Sequence, residues 1–407
     1  MGESADWPGA EEPVPYPLAP AATIYHPSPD YAMFRENCPV PRILLPDGTV
    51  AYLATRYADV RSVLTDPRFS RAAAAGPNRP TRELGSLAED SLIGMDPPLH
   101  TRIRRVVSHA FTVRRVEELR PRVAAMVSEM IDGMQAAGPP ADLITHLSAP
   151  LPVNVISELF GIAQADREQV RQWSDALVGD WDADPEAPQA ALAAFGEMIA
   201  ERRHRGGDDL MSALIEAWDA HPDLTERQLI SVTAGIFVGG HETTTNQINL
   251  FMLLLDRHPD QLRALRGDDP RAIAAAVEEL SRFIQLGDNG VLLPRVTVAE
   301  VELSGVRIPA GCAVLPAIVS GNRDEAEFAN AGRLDLARAQ AQHLGFGAGP
   351  HHCLGAALAR MELQEALGGL LRRLHGLRVA VDDHDLRFKP GLVVRSLESL
   401  PVTWDRP

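Results

Sequence analysis

Apolar residues in the middle of the chain keep a three-and-four stride: Ile103, Val106, Val107, Ala110 and Phe111, then Val123, Met126, Val127 and Met130. That stride lines one face of a 3.6-residue repeat, so it predicts amphipathic helices. The longest is predicted from Thr225 to about Asp256, opened by Thr225 and Gln228 at capping-box spacing and closed by His258-Pro259. At about 1.5 Å per residue it would extend about 50 Å, enough to cross the molecule. Further helices are expected over Tyr57 to Leu64, stopped by Asp66-Pro67, and over Pro270 to about Leu286. A last one should begin just after Cys353 and run through Ala357, Leu358, Met361 and Leu363 to about Leu374, with short strands ending the chain.

Short β-like runs stand apart from these. Thr49 to Leu53 reads as one strand; Val296 to Val298, Val301 to Leu303, Val306 to Ile308 and Ala313 to Leu315 read as four more, punctuated by Gly305, Pro309 and Gly311. From Met1 to about Pro46 prolines recur every few residues, which predicts no regular helix there, and residues 1–20 read as a Pro-rich tail. Ser70 to Pro98 reads as a loop rich in Gly and Pro. No repeat or low-complexity block interrupts the plan. The expected fold is mainly α with a minor β region, in a single domain over residues 21–407.

Composition narrows the class. Apolar residues make up 45% of the chain and charged residues 23%, a globular balance. The net charge of −16 argues against a nucleic-acid partner, because phosphate binding needs clustered cations. Arg102, Arg104, Arg105, Arg114 and Arg115 could still form a local basic face or a merely solvated one. Cys38, Cys312 and Cys353 are too few and scattered for a disulfide framework, and the N-terminus MGESADWPGAEEPVPYPLAP lacks the charge and apolar run of a signal peptide. No stretch approaches the roughly 20 apolar residues of a membrane span. A soluble, cytoplasmic protein with no membrane partner is expected.

The chemistry concentrates in Phe346 to Gly355, FGAGPHHCLG, where a helix-breaking loop delivers Cys353 to the first turn of a helix. N–H groups at a helix start and in a tight loop can donate to sulfur, lowering the thiol pKa. Gly347, Gly349 and Gly355 let backbone approach a flat cofactor closely. A merely buried thiol, or a zinc site using His343, His351, His352 and Cys353, are the competing readings, the second without a matching ligand spacing.

This run resembles the haem-binding signature of the cytochrome P-450 family, F-G-x-G-x-H-x-C-x-G, at every specified position, and the likeness extends over nearly the whole chain beyond the first 20 or so residues. In style it is similar to soluble bacterial, especially actinomycete, members. The resemblance implies a triangular helical prism with the long central helix over haem b, and Cys353 as the axial thiolate of the iron. Phe346, Gly347 and Gly355 would then belong to the cofactor loop, and His351 would bond a haem propionate.

Three further constellations match the family. Met95 to Arg104, MDPPLHTRIR, resembles its D-P-P-x-H-x-x-x-R, which implies that His100 and Arg104 clamp a propionate; Arg295, in LLPRV, matches its other propionate-binding arginine. Glu279 and Arg282, in E-x-x-R, match its structural ion pair, completed by Arg333. Gly239 to Thr244, GGHETT, interrupts the long helix with glycines that each cost about 1 kcal/mol relative to Ala. Close packing would explain these; the resemblance instead implies a segment crossing the haem face, with Gly239 near the cofactor, a helix locally widened for dioxygen and water, and Glu242 and Thr243 relaying protons. Glu325, where the family's N-R-D-P has Pro, and Ala331-Gly332, where D-P is common, depart from the pattern.

The implied reaction inserts one oxygen atom from O2 into a mainly apolar small molecule, by hydroxylation ahead of epoxidation or coupling, in natural-product biosynthesis. Electrons would come from ferredoxin and ferredoxin reductase, docking near Arg102, Arg105 and Arg360, on a monomeric enzyme. The substrate pocket would be lined by Leu92, Ile93, Ala234, Phe237, Val238, Val291, Leu292, Val393 and Val394. The alternatives are a haem-binding gas sensor or carrier without turnover, which would not need Glu242 and Thr243, and a zinc-stabilised helical scaffold.

Overall fold

The computed structural model describes residues 12–19, 23, 25–75, 90–108, 111–178, 184, 186–265, 269–284, 286, 293–338, 342–389 and 394–405. Two compact units emerge: Met1–Glu89 with Ile93–Thr101 and Glu278–Cys353, and Asp90–Leu92 with Arg102–Val277 and Leu354–Pro407.

The first unit carries a sheet ordered Val14–Pro15, Arg42–Leu44, Val50–Ala54, Ala313–Pro316, Arg295–Thr297 and Phe69–Ser70. Val50–Ala54 runs parallel to Ala313–Pro316, pairing Leu53 with Leu315, and both side chains are buried. The helix Tyr57–Thr65 adds Val60, Val63 and Leu64 to the core beside the sheet. The expected strands Val301–Leu303 and Val306–Ile308 form a hairpin, turned by Ser304 and Gly305 at φ 45° and 82°. A two-residue turn with both φ positive matches strand twist, and glycine adopts it without a steric penalty.

One expectation is corrected here. Asp30–Asn37 is an α-helix within the Pro-rich segment, with Tyr31 and Phe34 fully buried. Its ends are Pro29 and Cys38-Pro39, so the stretch between prolines is clear of them, and a proline just before a helix breaks no internal hydrogen bond.

A buried ion-pair node braces the same unit. Arg282 donates to both oxygens of Glu279 at 2.8 Å, and to the carbonyls of Asn322 and Ala331 at 2.6 and 3.0 Å. Glu279 also accepts from the Asp335 N–H at 2.9 Å and from Arg338 Nε at 3.1 Å. The third cation is therefore Arg338, a correction: Arg333 contributes its carbonyl, which accepts from Arg338 at 3.0 Å. Asn322 next accepts from the Leu344 N–H at 2.7 Å, so the node reaches the segment that leads into the cysteine loop.

In the second unit the helix Glu226–Asp256 begins with the expected reciprocal Thr225–Gln228 capping box. It packs against the helices Pro150–Leu159, Arg167–Val178, Ala187–Arg205 and Ala356–Arg373. Near its C-terminal end, Ile248 to Leu255 are apolar around most of the circumference and buried, as a helix segment enclosed by neighbours must be. Val113–Ala137 lies against Ala356–Arg373, where Gly369 faces Val127 so closely that a Cβ would sit 2.6 Å from Val127 Cγ1. Arg378–Val379, Pro401–Thr403 and Ala141–Asp142 make a small sheet, the expected terminal strands among them. No helix among the described residues is long and apolar enough to cross a membrane.

Candidate functional site

In the first unit the cysteine loop is held by its own backbone. The Gly347 N–H donates to Leu344 O at 2.8 Å, His352 N–H to Gly349 O at 3.0 Å and Cys353 N–H to Phe346 O at 2.8 Å. Gly347 and Gly349 take φ of 71° and 68°, a region that disfavours side chains. A Cβ on Gly349 would also lie 2.6 Å from Leu64 O, so a side chain here would press on the helix Tyr57–Thr65. The loop thus presents Cys353 exposed, whereas Cys38 and Cys312 are half-buried against apolar clusters. Gly355 follows at the N-terminal end of the helix Ala356–Arg373.

Cationic and imidazole groups gather in the same unit. The rings of His100 and His351 lie 4.3 Å apart between centroids, and His100 is buried. Arg295 is buried, donates to Leu293 O at 2.8 Å, and is held well below its ordinary pKa by desolvation, then by neighbouring Arg71. Arg71 was missed by sequence reasoning. Burial pushes its guanidinium down to about 10, while it donates to Ile93 O at 3.0 Å and to Pro294 O. Asp96 opposes this charge, accepting from the Arg71 and Ala72 N–H groups at 2.9 and 3.3 Å and from the Ser70 hydroxyl. Arg71 thereby ties the loop before His100 to the strand of Arg295, a long-range link whose only sequence trace is one more arginine. Arg104, half-buried and in the second unit, stands one turn after His100 along the helix Leu99–Ser108.

In the second unit the long helix presents the acid and the alcohol. Glu242 is buried and receives the Asn246 amide at 3.0 Å; the same amide reaches the Glu242 carbonyl at 2.9 Å. Thr243 Oγ1 donates to Gly239 O at 2.6 Å. Gly239 has open space around its Cβ position, and a Cβ on Gly240 would lie 3.4 Å from Ile156 Cδ1, ordinary van der Waals contact, so close packing requires neither glycine. The expected local widening is absent: the segment is regular α-helix across 31 residues, with Thr243 and Asn246 side chains bonding the carbonyls of Gly239 and Glu242. Beside Glu242, burial pushes His241 down to about 4, so its imidazole is neutral.

Of the expected pocket residues, Val238, Leu92 and Val394 are half-buried and Ile93 is exposed. Ala234 and Phe237 are fully buried, and the centroid of the Phe237 ring lies 6.1 Å from those of Phe160 and Phe195. Val291, Leu292 and Val393 lie outside the described residues. In the expected basic patch, Arg102 is paired with Asp223, Arg105 is exposed and Arg360 half-buried.

The family model described as cytochrome P-450 matches residues 189–398. Mycinamicin IV hydroxylase/epoxidase of Micromonospora griseorubida is 44% identical over 378 residues, 92% of this chain and 94% of that protein. Nocardicin C N-oxygenase of Nocardia uniformis subsp. tsuyamanensis is 43% identical over 395 residues, 96% and 98% of the two chains. Among solved structures, the LnmA cytochrome P-450 hydroxylase of the leinamycin pathway of Streptomyces atroolivaceus superposes with a TM-score of 0.87 at 37% identity, covering 96% of this chain and 100% of its own.

Proposed function

Because this chain belongs to the cytochrome P-450 family, we propose that Cys353 is the thiolate that holds its haem iron. The chain is a haem-thiolate monooxygenase, an oxidoreductase whose relatives work in natural-product biosynthesis. When bound, the haem supplies activation of dioxygen and insertion of one oxygen atom into substrate, consuming two electrons and two protons. The observation that carries the assignment is the cysteine loop, in which left-handed glycines and backbone hydrogen bonds present one exposed thiol while the other cysteines lie against apolar clusters.

The donor set of the first unit fits the group. One soft sulfur suits iron, and an imidazole pair with a buried guanidinium suits carboxylates, which charge-assisted donors bind most strongly. His100, His351, Arg104 and Arg295 would hold the propionates, with Gly347, Gly355 and Gly239 allowing close approach and Phe346 part of the cofactor loop. Asn246 steadies one oxygen of Glu242, whose carboxyl takes up and passes protons toward Thr243 Oγ1. That hydroxyl gives its own proton to Gly239 O, which leaves its lone pairs to accept the next one.

The substrate proposed is a mainly apolar natural product, met by Leu92, Ile93, Ala234, Phe237, Val238, Val291, Leu292, Val393 and Val394, with hydroxylation as the reaction. The named relatives that hydroxylate or epoxidise mycinamicin IV and N-oxygenate nocardicin C support an enzyme over a haem sensor. Ferredoxin and its reductase would supply electrons, docking on Arg105 and Arg360, to a monomeric cytoplasmic enzyme made of one domain over residues 21–407 behind a tail.

Reconstituted turnover tests the relay. Thr243→Ala and Glu242→Gln should lower product formed per electron pair at least about tenfold while peroxide rises. Coupling equal to that of the parent enzyme would contradict the assigned roles.

A further inference from the structure

The second unit holds a donor set that the monooxygenase reaction does not explain. His241, on the helix Glu226–Asp256, turns Nδ1 toward Asp175 Oδ1 on the helix Arg167–Val178, 3.9 Å away. Metal-ligating atoms of Asp175, His241 and Glu242 all lie within 4.8 Å of one another. The His241 side chain is only 3% exposed, and its Nδ1 makes no hydrogen bond. A buried ring nitrogen left in this way is unusual, because buried polar atoms nearly always find a partner.

The surrounding charges leave this nitrogen to the carboxylates. Arg171 binds the other oxygen of Asp175, Oδ2, at 2.5 Å and also pairs with Glu168. Lys389, near enough to affect Asp175 and His241 electrostatically, supplies a second cation. Asn246 holds one oxygen of Glu242. Asp175 is 44% exposed, so its side chain can rotate to close the triangle. Ligands around zinc at about 2.0–2.2 Å stand roughly 3.4 Å apart, a contraction that rotation of Asp175 can provide.

We propose that His241, Asp175 and Glu242 form a zinc(II) site with a fourth position for water. One imidazole and two carboxylates suit zinc better than calcium or magnesium, which take oxygen ligands alone. A bound zinc ion engages the Glu242 carboxylate and so inhibits the enzyme. The inhibition rests on the role assigned to Glu242; the binding rests only on the geometry.

Calorimetric titration of zinc-free holoenzyme with zinc chloride at neutral pH tests the site. One ion should bind per chain, and Asp175→Asn and His241→Gln should each weaken it at least tenfold. His384→Ala, in the exposed Asp382–His384–Asp385 group, should leave that affinity unchanged. Unweakened binding in both site variants, or no binding to the parent, would overturn the proposal. Zinc-edge X-ray absorption on the unmutated protein keeps the test independent of variant folding: a nitrogen and oxygen shell containing one imidazole supports the site, and sulfur ligands overturn it. Zinc should also depress turnover of the parent at least tenfold and that of His241→Gln far less. Zinc bound at this site with turnover undiminished would refute the inhibition and the Glu242 role while the site itself stood.

Discussion

Removing the Glu279 carboxylate should damage the protein more than any other single change to the E-x-x-R node. Its side chain is 4% exposed and faces Arg282 at 2% and Arg338 at 13%. Glu279→Ala would strand one fully buried guanidinium and one largely buried one, and free the Asp335 N–H as well. Breaking a buried pair by deleting one partner costs about 3–5 kcal/mol, mostly as an uncompensated charge. At roughly 2–4 °C per kcal/mol for larger domains, the melting temperature should fall by roughly 6–20 °C. Arg338→Ala should cost less, because its guanidinium is more accessible, while Arg333→Ala should lie within about 0.5 kcal/mol of the parent, its contribution being a carbonyl. Thermal melts followed by circular dichroism and by haem absorbance give this ranking. An Arg333→Ala variant as damaged as Arg338→Ala would refute it, and would restore the resemblance-based triad.

Two other changes read the packing and the buried charge. Gly369→Ala places a methyl 2.6 Å from Val127 Cγ1, and overpacking of this kind costs about 1–3 kcal/mol, so a lowered denaturation midpoint is expected; an unchanged one would mean the two helices separate freely. Glu362, fully buried on the helix Ala356–Arg373, has its carboxyl pushed well above the usual carboxylate range by desolvation. Its folded-state pKa is raised, so its contribution is fully present below the unfolded-state pKa and is lost as pH rises toward the folded one. Glu362→Gln should therefore flatten the fall in stability above pH about 4.3, the ordinary glutamate value, and an equally steep pH profile would count against a protonated Glu362.

The features legible in sequence were those set by neighbouring residues. Thr225 and Gln228 form their capping box within one turn, and Gly305 makes a hairpin turn that local φ preference requires. The cysteine loop was equally legible, because its glycines and its thiol lie within ten residues. Proline density hides the helix Asp30–Asn37, although only a proline inside the segment would stop it. Arg338 replaced Arg333 because pairing across long stretches of chain is decided by tertiary packing. The contacts of Arg71 and His241 are of the same kind: each meets partners from distant segments, and no local pattern announces them.

The assignment of Cys353 is tested most directly by the absorption spectrum of the reduced carbonyl complex, recorded for the parent protein and for Cys353→Ser. The parent should show the red-shifted Soret band of thiolate-bound haem, and the variant should lose it, through exchange of the ligand or loss of haem. A Cys353→Ser protein that kept the thiolate-type band would place the iron on another sulfur and contradict the account.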